Sequence, residues 1–281
     1  MGRLMKTPLL TDKRLMLLMP ESSYRAEPFL KAARELGLET VVASDRCHVL
    51  ADYWHVPLAL KFHNPEQAVK DILRYACTNP VHAIIPVDDK TTVIAAKASA
   101  ALSLPHNAPE AAEATRNKRR MRELLKASDV PCPDFEVIKT STEPARISNT
   151  IDYPCVLKPL LLSASRGVIR ADTPAEFIGA FNRIRRILQS LQPPPADDTD
   201  AGYILTESFI TGTEIAVEGV ISQGNLRVLA VFDKPDPLDG PFFEETIYVT
   251  PSRLSEDVLR VVTNAAQQAT RAIGLTEGPV H

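Results

Sequence analysis

Three stretches carry residue types suited to a phosphorylated ligand. The first runs from Tyr153 to Arg170. An apolar strand delivers Lys158, and the small residues Ser163, Ala164, Ser165 and Gly167 lead into a second strand at Val168. Small residues let backbone N–H groups close around phosphate oxygens, and a lysine held at a strand end adds a cation. The same residues also read as a serine-rich hairpin turn beside a solvated lysine. The second stretch, Tyr203 to Gly219, sets Glu207 and Glu214 either side of a turn at Gly212. Phe209 and Ile210 between them offer an apolar wall and free backbone groups. Adenine needs such a wall and edge hydrogen bonds, and a ribose diol suits a carboxylate acceptor. Two solvated acids around a hairpin are the plain alternative. The third stretch, Ala114 to Leu125, is basic and is followed by Val130-Pro131-Cys132-Pro133. Lys118 in it can aim a charge at a polyphosphate, although most such runs are solvated helix faces.

The elements around these stretches must hold them in place. The first 108 or so residues alternate strand and helix. Strands are expected at Arg14 to Met19, Glu39 to Ala43 and Val81 to Val87, with helices at Arg25 to Glu35, Pro65 to Tyr75 and Thr91 to Leu102. That order implies a mostly parallel sheet covered by helices, because parallel neighbours need crossovers. The first strand-to-helix loop, Pro20 to Tyr24, lacks G-x-G-x-x-G, so a dinucleotide fingerprint is absent and a nicotinamide oxidoreductase is disfavoured. A Walker loop is also absent from the chain. Asp88-Asp89 stands at a strand's carboxyl end, where such sheets bind ligands and where plain turns also form.

After Pro105 the pattern changes. One basic helix is expected over Ala111 to Ala127. Strands follow at Phe135 to Lys139, Tyr153 to Lys158 and Val168 to Ala171, then a helix over Thr173 to Leu191 with Thr173 as its cap and Pro174 in its first turn. Gln192 to Gly202 reads as a mobile polar excursion. Three strands come next, the last two joined as a hairpin by Ser222-Gln223-Gly224-Asn225, and a helix over Ser255 to Ile273 closes at Gly274.

Composition narrows the function classes. With 281 residues and 44% hydrophobic content the chain can bury a real core without disulfides. Its net charge of −3 lacks the basic footprint of a general nucleic-acid binder. No apolar run approaches the ~20 residues of a membrane helix. The four cysteines form no C-x-x-C pair, and a reducing cytoplasm is the expected location.

Taken in order, the three stretches resemble the ATP-grasp superfamily, the fold of biotin carboxylase, D-alanine–D-alanine ligase and the L-amino-acid ligases. Asn117-Lys118 and Val130 to Pro133 look like its entry, Pro154 to Pro159 with Ser163 to Val168 like its lysine strand and phosphate loop, and Glu207 to Glu214 like its hinge. The resemblance implies an α/β and α+β chain: a Rossmann-like N-terminal domain over 1–108, then an incomplete ATP-grasp domain over 109–281 with a nucleotide lid at about 134–212. It implies that Lys118 and Lys158 contact ATP phosphates, that Ser165 and Gly167 lie in the loop closing over them, that Glu207 with Phe209 and Ile210 holds adenine, and that Glu214 holds ribose. Asp233 to Thr246 resembles the stretch that reaches toward the acceptor or transferred phosphate, which nominates Glu245 and Tyr248 as catalytic. The family often has histidine at the last position and glycine where Ala164 stands; a negative φ would accommodate that alanine.

The implied activity is ATP-dependent joining of a carboxylate to an amine, such as an amino acid, through an acyl phosphate, both being small molecules. Mg²⁺ is the implied companion of ATP, but none of the acids present matches the family's metal carboxylates, which are expected beyond His281. Gly278 to His281 resembles the start of the strand that carries the first of them. The expectation is therefore a fragment of a longer ligase, with a catalytically incomplete ATP-binding module as the alternative.

Overall fold

Leu15-Met16-Leu17-Leu18 leaves no side chain for solvent, and it forms a strand buried on both faces. The computed structural model describes residues 10–21, 23–45, 58–191, 199–244 and 246–281. The chain divides into two compact units, 1–113 and 114–281. In the first, β1 (Arg14–Leu18), β2 (Glu39–Ser44), β3 (Leu58–Ala59) and β4 (Ala83–Pro86) form an all-parallel sheet in the order β3-β2-β1-β4. Helices α1 (Ala26–Glu35), α2 (Pro65–Thr78) and α3 (Thr92–Ala101) supply its covers. Met16 and Leu18 pack with Ile72, Ile94 and Ala98, whereas Leu15 and Leu17 pack with Ala33. The two-residue strand β3 is an addition to the expected set. Asp88 acts as a turn residue, its carboxylate accepting from the Lys90 N–H at 3.2 Å.

The helical stretch across the unit boundary differs from the expected one. The expected single helix over 111–127 is two, α4 (Pro109–Thr115) and α5 (Lys118–Ala127). Asn117 between them has extended backbone and caps α5, its side chain accepting from Arg120 N–H at 3.2 Å. Lys118 is therefore the first residue of a helix. The strands β5 (Phe135–Lys139), β6 (Cys155–Pro159), β7 (Ile169–Ala171) and β8 (Tyr203–Ser208) form an antiparallel sheet in the order β5-β8-β6-β7. Cys155, Leu157, Ile169, Ala171 and Ile204 face α6 (Pro174–Gln189), whose Phe177, Phe181 and Ile184 are fully buried. Because side chains alternate along a strand, Val156, Lys158, Arg170, Leu205 and Glu207 occupy the other face.

A second sheet has the order β10-β9-β11, from β9 (Ile215–Ser222), β10 (Asn225–Asp233) and β11 (Gly278–Val280). Gln223 and Gly224 join β9 to β10 with φ values of 51° and 75°, the left-handed pair that suits a two-residue hairpin. Helix α7 (Glu256–Ile273) packs on β10 and α5. The excursion expected at 192–202 lies largely outside the described residues; its end, Asp200–Gly202, is a short 3₁₀ turn. Among the described residues no helix is long and apolar enough to cross a membrane.

Candidate functional site

The site grows from strand parity. Glu207 on β8 pairs with Val156 on β6, so Lys158, two residues on, is its diagonal neighbour on the same face. The Lys158 ammonium lies 2.5 Å from one Glu207 oxygen. Helix α5 brings a second cation: Arg122 Nε donates to the other oxygen at 2.6 Å. Glu207 is 4% exposed, and among the described residues it is the one buried carboxylate. Burial by itself would push its pKa up, but the charges and hydrogen bonds of Lys158 and Arg122 outweigh that and hold it below the usual carboxylate value.

Lys118 sits one helical turn before Arg122 and so shares its face. Its backbone N–H donates to the Leu160 carbonyl at 3.1 Å, and its ammonium donates to the Leu162 carbonyl. Burial is the main reason its pKa is pulled down to about 8; the like charge of Lys158 and Arg116 pulls the same way, and Glu207 opposes. The two lysines expected from separate elements thus feel each other's charge beside one carboxylate.

The segment after Lys158 turns sharply. Ala164 and Ser165 are left-handed, at φ 54° and 50°, and Gly167 follows at 78°. Ala164 does not adopt the negative φ expected to relieve its methyl group. A Cβ on Gly167 would stand 3.0 Å from Cγ of the Pro159 ring, so backbone conformation and close approach both call for glycine. Ser165 is exposed at the turn.

The expected adenine wall is only partly free. The Phe209 N–H donates to the Pro154 carbonyl at 3.0 Å, so it is not the open donor the sequence implied. The Phe209 ring carries the Arg170 guanidinium at 4.1 Å from its centroid and lies 6.4 Å from the Phe243 ring. Ile210 is 66% exposed. Glu207, expected on the nucleotide base, has both oxygens engaged by cations.

Glu214 and Tyr248 belong to a second group. Lys234 on the segment after β10 pairs with Glu214 at 2.6 Å and places its ammonium 5.1 Å from the Tyr248 ring centroid. Tyr248 meets Phe232 edge-on, and His281, which pairs with Glu218 at 2.8 Å, lies 6.4 Å from the Tyr248 ring. Asp233 braces the local backbone, accepting from Ser252 Oγ and the Arg253 N–H, which holds its pKa low. Glu245 lies outside the described residues. Sequence reading missed Arg122, Lys234 and Arg170 as site residues. The first left one signal, its i, i+4 spacing from Lys118; the other two left none, since their partners are set by the fold.

Among the described residues no three His, Cys, Asp or Glu side chains converge as a metal site.

The arrangement has known relatives. A family model described as ATP-grasp domain matches residues 151–281, and one described as ATP-grasp N-terminal domain matches residues 30–106. The chain belongs to the ATP-grasp superfamily. The alanine–anticapsin ligase of Bacillus amyloliquefaciens is 28% identical over 249 residues, covering 83% of this chain and 52% of that ligase. The crystal structure of the L-amino acid ligase of Bacillus licheniformis superposes with a TM-score of 0.78 at 25% identity, covering 96% of this chain and 64% of that one. The D-alanine–D-alanine ligase B of Chromobacterium violaceum is 24% identical over 160 residues, 56% of this chain and 48% of that ligase. The chain spans about half the length of the curated relatives it matches.

Proposed function

We propose that this chain is the nucleotide-binding part of an ATP-dependent ligase that joins a carboxylate to an amine, with an amino acid as one substrate. One observation carries the reading: Lys118, Arg122 and Lys158 gather around the buried carboxylate of Glu207. Three cations against one anion, partly withdrawn from water, leave an excess of positive charge that a polyphosphate would neutralise. Lys118 and Lys158 take the phosphate oxygens, and the amides of the 163–167 turn close over them. Phe209 and Ile210 line the base, and Glu214 accepts from the ribose diol. Residues 134–212 form the lid, and the stretch that holds Glu245 and Tyr248 reaches toward the acceptor. The alanine, anticapsin, L-amino acid and D-alanine in the relatives' names support an amino acid substrate.

In the proposed reaction a substrate carboxylate oxygen attacks the γ-phosphorus, and the bond to the leaving ADP oxygen breaks. The amine nitrogen then attacks the acyl carbon, phosphate departs with its bonding pair, and the amine proton passes to solvent. The described side chains do no covalent work in this scheme. They position the phosphates and neutralise charge that grows on the leaving oxygen.

Calorimetric titration of ATP into the chain tests the reading. Binding is expected for wild type, and Lys158→Met is expected to weaken it by about tenfold or more, the value of a hydrogen-bonded charge. Phosphate release that depends on an added amino acid supports the ligase; ATP binding with no release under any amino acid supports a binding module instead. Equal ATP affinity in wild type and K158M refutes the phosphate role.

A further inference from the structure

The charge balance around Glu207 points to a residue that neither the sequence motifs nor the ligase chemistry requires. We infer that Arg122 is a positioning residue: it keeps Glu207 ionised and anchored, so that Lys158 can leave that carboxylate for the nucleotide phosphates. The inference rests on the ATP reading above and adds to it a residue that need not touch ATP.

In the structure Lys158 is not waiting in an open cleft. Its ammonium lies 2.5 Å from Glu207, in a site where Glu207 is 4% exposed. A buried carboxylate stripped of its only counter-ion is strongly disfavoured, so a lone Lys158–Glu207 pair would hold the lysine back from any phosphate. Arg122 changes that balance. It takes the other oxygen of Glu207 at 2.6 Å, and its own side chain is 20% exposed. When a phosphate draws Lys158 away, Glu207 keeps one hydrogen-bonded cation. Lys158 is thereby made exchangeable between two anions.

The residue type fits this role. Lys118 and Lys158 crowd the site with positive charge, and the ammonium of Lys118 already binds its proton less tightly than an exposed lysine does. A guanidinium keeps its charge in such surroundings, where a further ammonium would tend to lose it. Position fits as well. Arg122 lies one helical turn beyond Lys118, so α5 presents the phosphate-facing lysine and the supporting arginine on one face.

The test compares ATP affinity, by calorimetry with excess magnesium, in wild type, Arg122→Met, Arg122→Lys and the double variant R122M/E207Q. R122M is expected to weaken ATP by about tenfold or more, because Lys158 becomes the sole partner of Glu207. R122K is expected to recover part of that loss. The double variant is expected to bind ATP more tightly than R122M alone, since the carboxylate that retains Lys158 is gone. A merely structural arginine predicts the opposite order, with the double variant at least as weak as the single. Thermal melts establish folding, and if R122M does not fold, R122K against R122K/E207Q carries the same comparison. Absence of ATP binding by wild type sinks the nucleotide reading and this role with it. Normal wild-type binding, together with an unaffected R122M or a double variant weaker than the single, overturns the role of Arg122 alone.

Discussion

If Lys118 contacts the nucleotide phosphates as proposed, ATP binding takes up protons. The Lys118 ammonium is partly withdrawn from water, and Lys158 and Arg116 repel it, so its pKa falls to about 8. At pH 7 the side chain is about nine-tenths charged, and at pH 9 about one-tenth. The nucleotide phosphates favour the charged form, which raises the pKa in the complex. Affinity must then fall as pH rises through the value of the free protein. If only the charged form binds, the loss between pH 7 and pH 9 is about tenfold, or about 1.4 kcal/mol. A phosphate's second proton leaves near pH 6, so the ligand's own titration lies below this window. Calorimetry at pH 8 in buffers of different ionisation enthalpy should report uptake of about half a proton per ATP bound. Lys118→Met should bind ATP more weakly at pH 7 and lose the pH slope. A flat affinity from pH 7 to 9, or the same slope in K118M, would refute the assignment.

Three further outcomes follow from the same geometry. Glu207 is more acidic folded than unfolded, so its ion pairs contribute stability above the unfolded value of about 4.3 that is lost as pH falls through the lower folded value. Glu207→Gln should therefore cost about 3 kcal/mol at pH 7 and flatten the acid limb of denaturant unfolding, and an unchanged limb would contradict the buried pairs. Gly167→Ala combines a φ of 78° with a 3.0 Å approach to the Pro159 ring, and it should lower stability by about 1–2 kcal/mol in urea; an unchanged midpoint would contradict that packing. Burial pushes the Cys155 thiol up to about 12, with Glu136 and Asp172 adding to it, whereas Cys77 is exposed. Iodoacetamide at pH 8 should label Cys77 and spare Cys155 in mass spectra of the native chain, and modification of Cys155 would show that β6 opens.

The apolar strands and capped helices were legible because their signals are local. Thr173-Pro174 announced α6, and Gln223-Gly224 announced the hairpin. The break between α4 and α5 was hidden because good helix formers stand on both sides of Asn117, and its capping role depends on one backbone rotation. Strand β3 is too short to show alternation. The site divides the same way. Lys158 and the small-residue turn lie within ten residues of each other, so their association is visible as spacing. The Arg122–Glu207 bond spans 85 positions, so only the tertiary fold creates it. Glu207 looks like a ligand-facing acid in the sequence because nothing local says that a carboxylate following Ile204-Leu205-Thr206 will be closed over by two cations.

The alternation along β6 and β8 sorts mutations by arithmetic. Changes at 155, 157 and 204 strike the packing against α6, whereas changes at 156, 158, 205 and 207 strike the charged side. In a saturation library, changes at 155, 157 and 204 should therefore lower abundance, whereas changes at 156, 158, 205 and 207, several of them also buried, should lower nucleotide retention as well. A redesign of ligand preference acts on the second series and has to carry its stability cost, because Val156, Leu205 and Glu207 are buried.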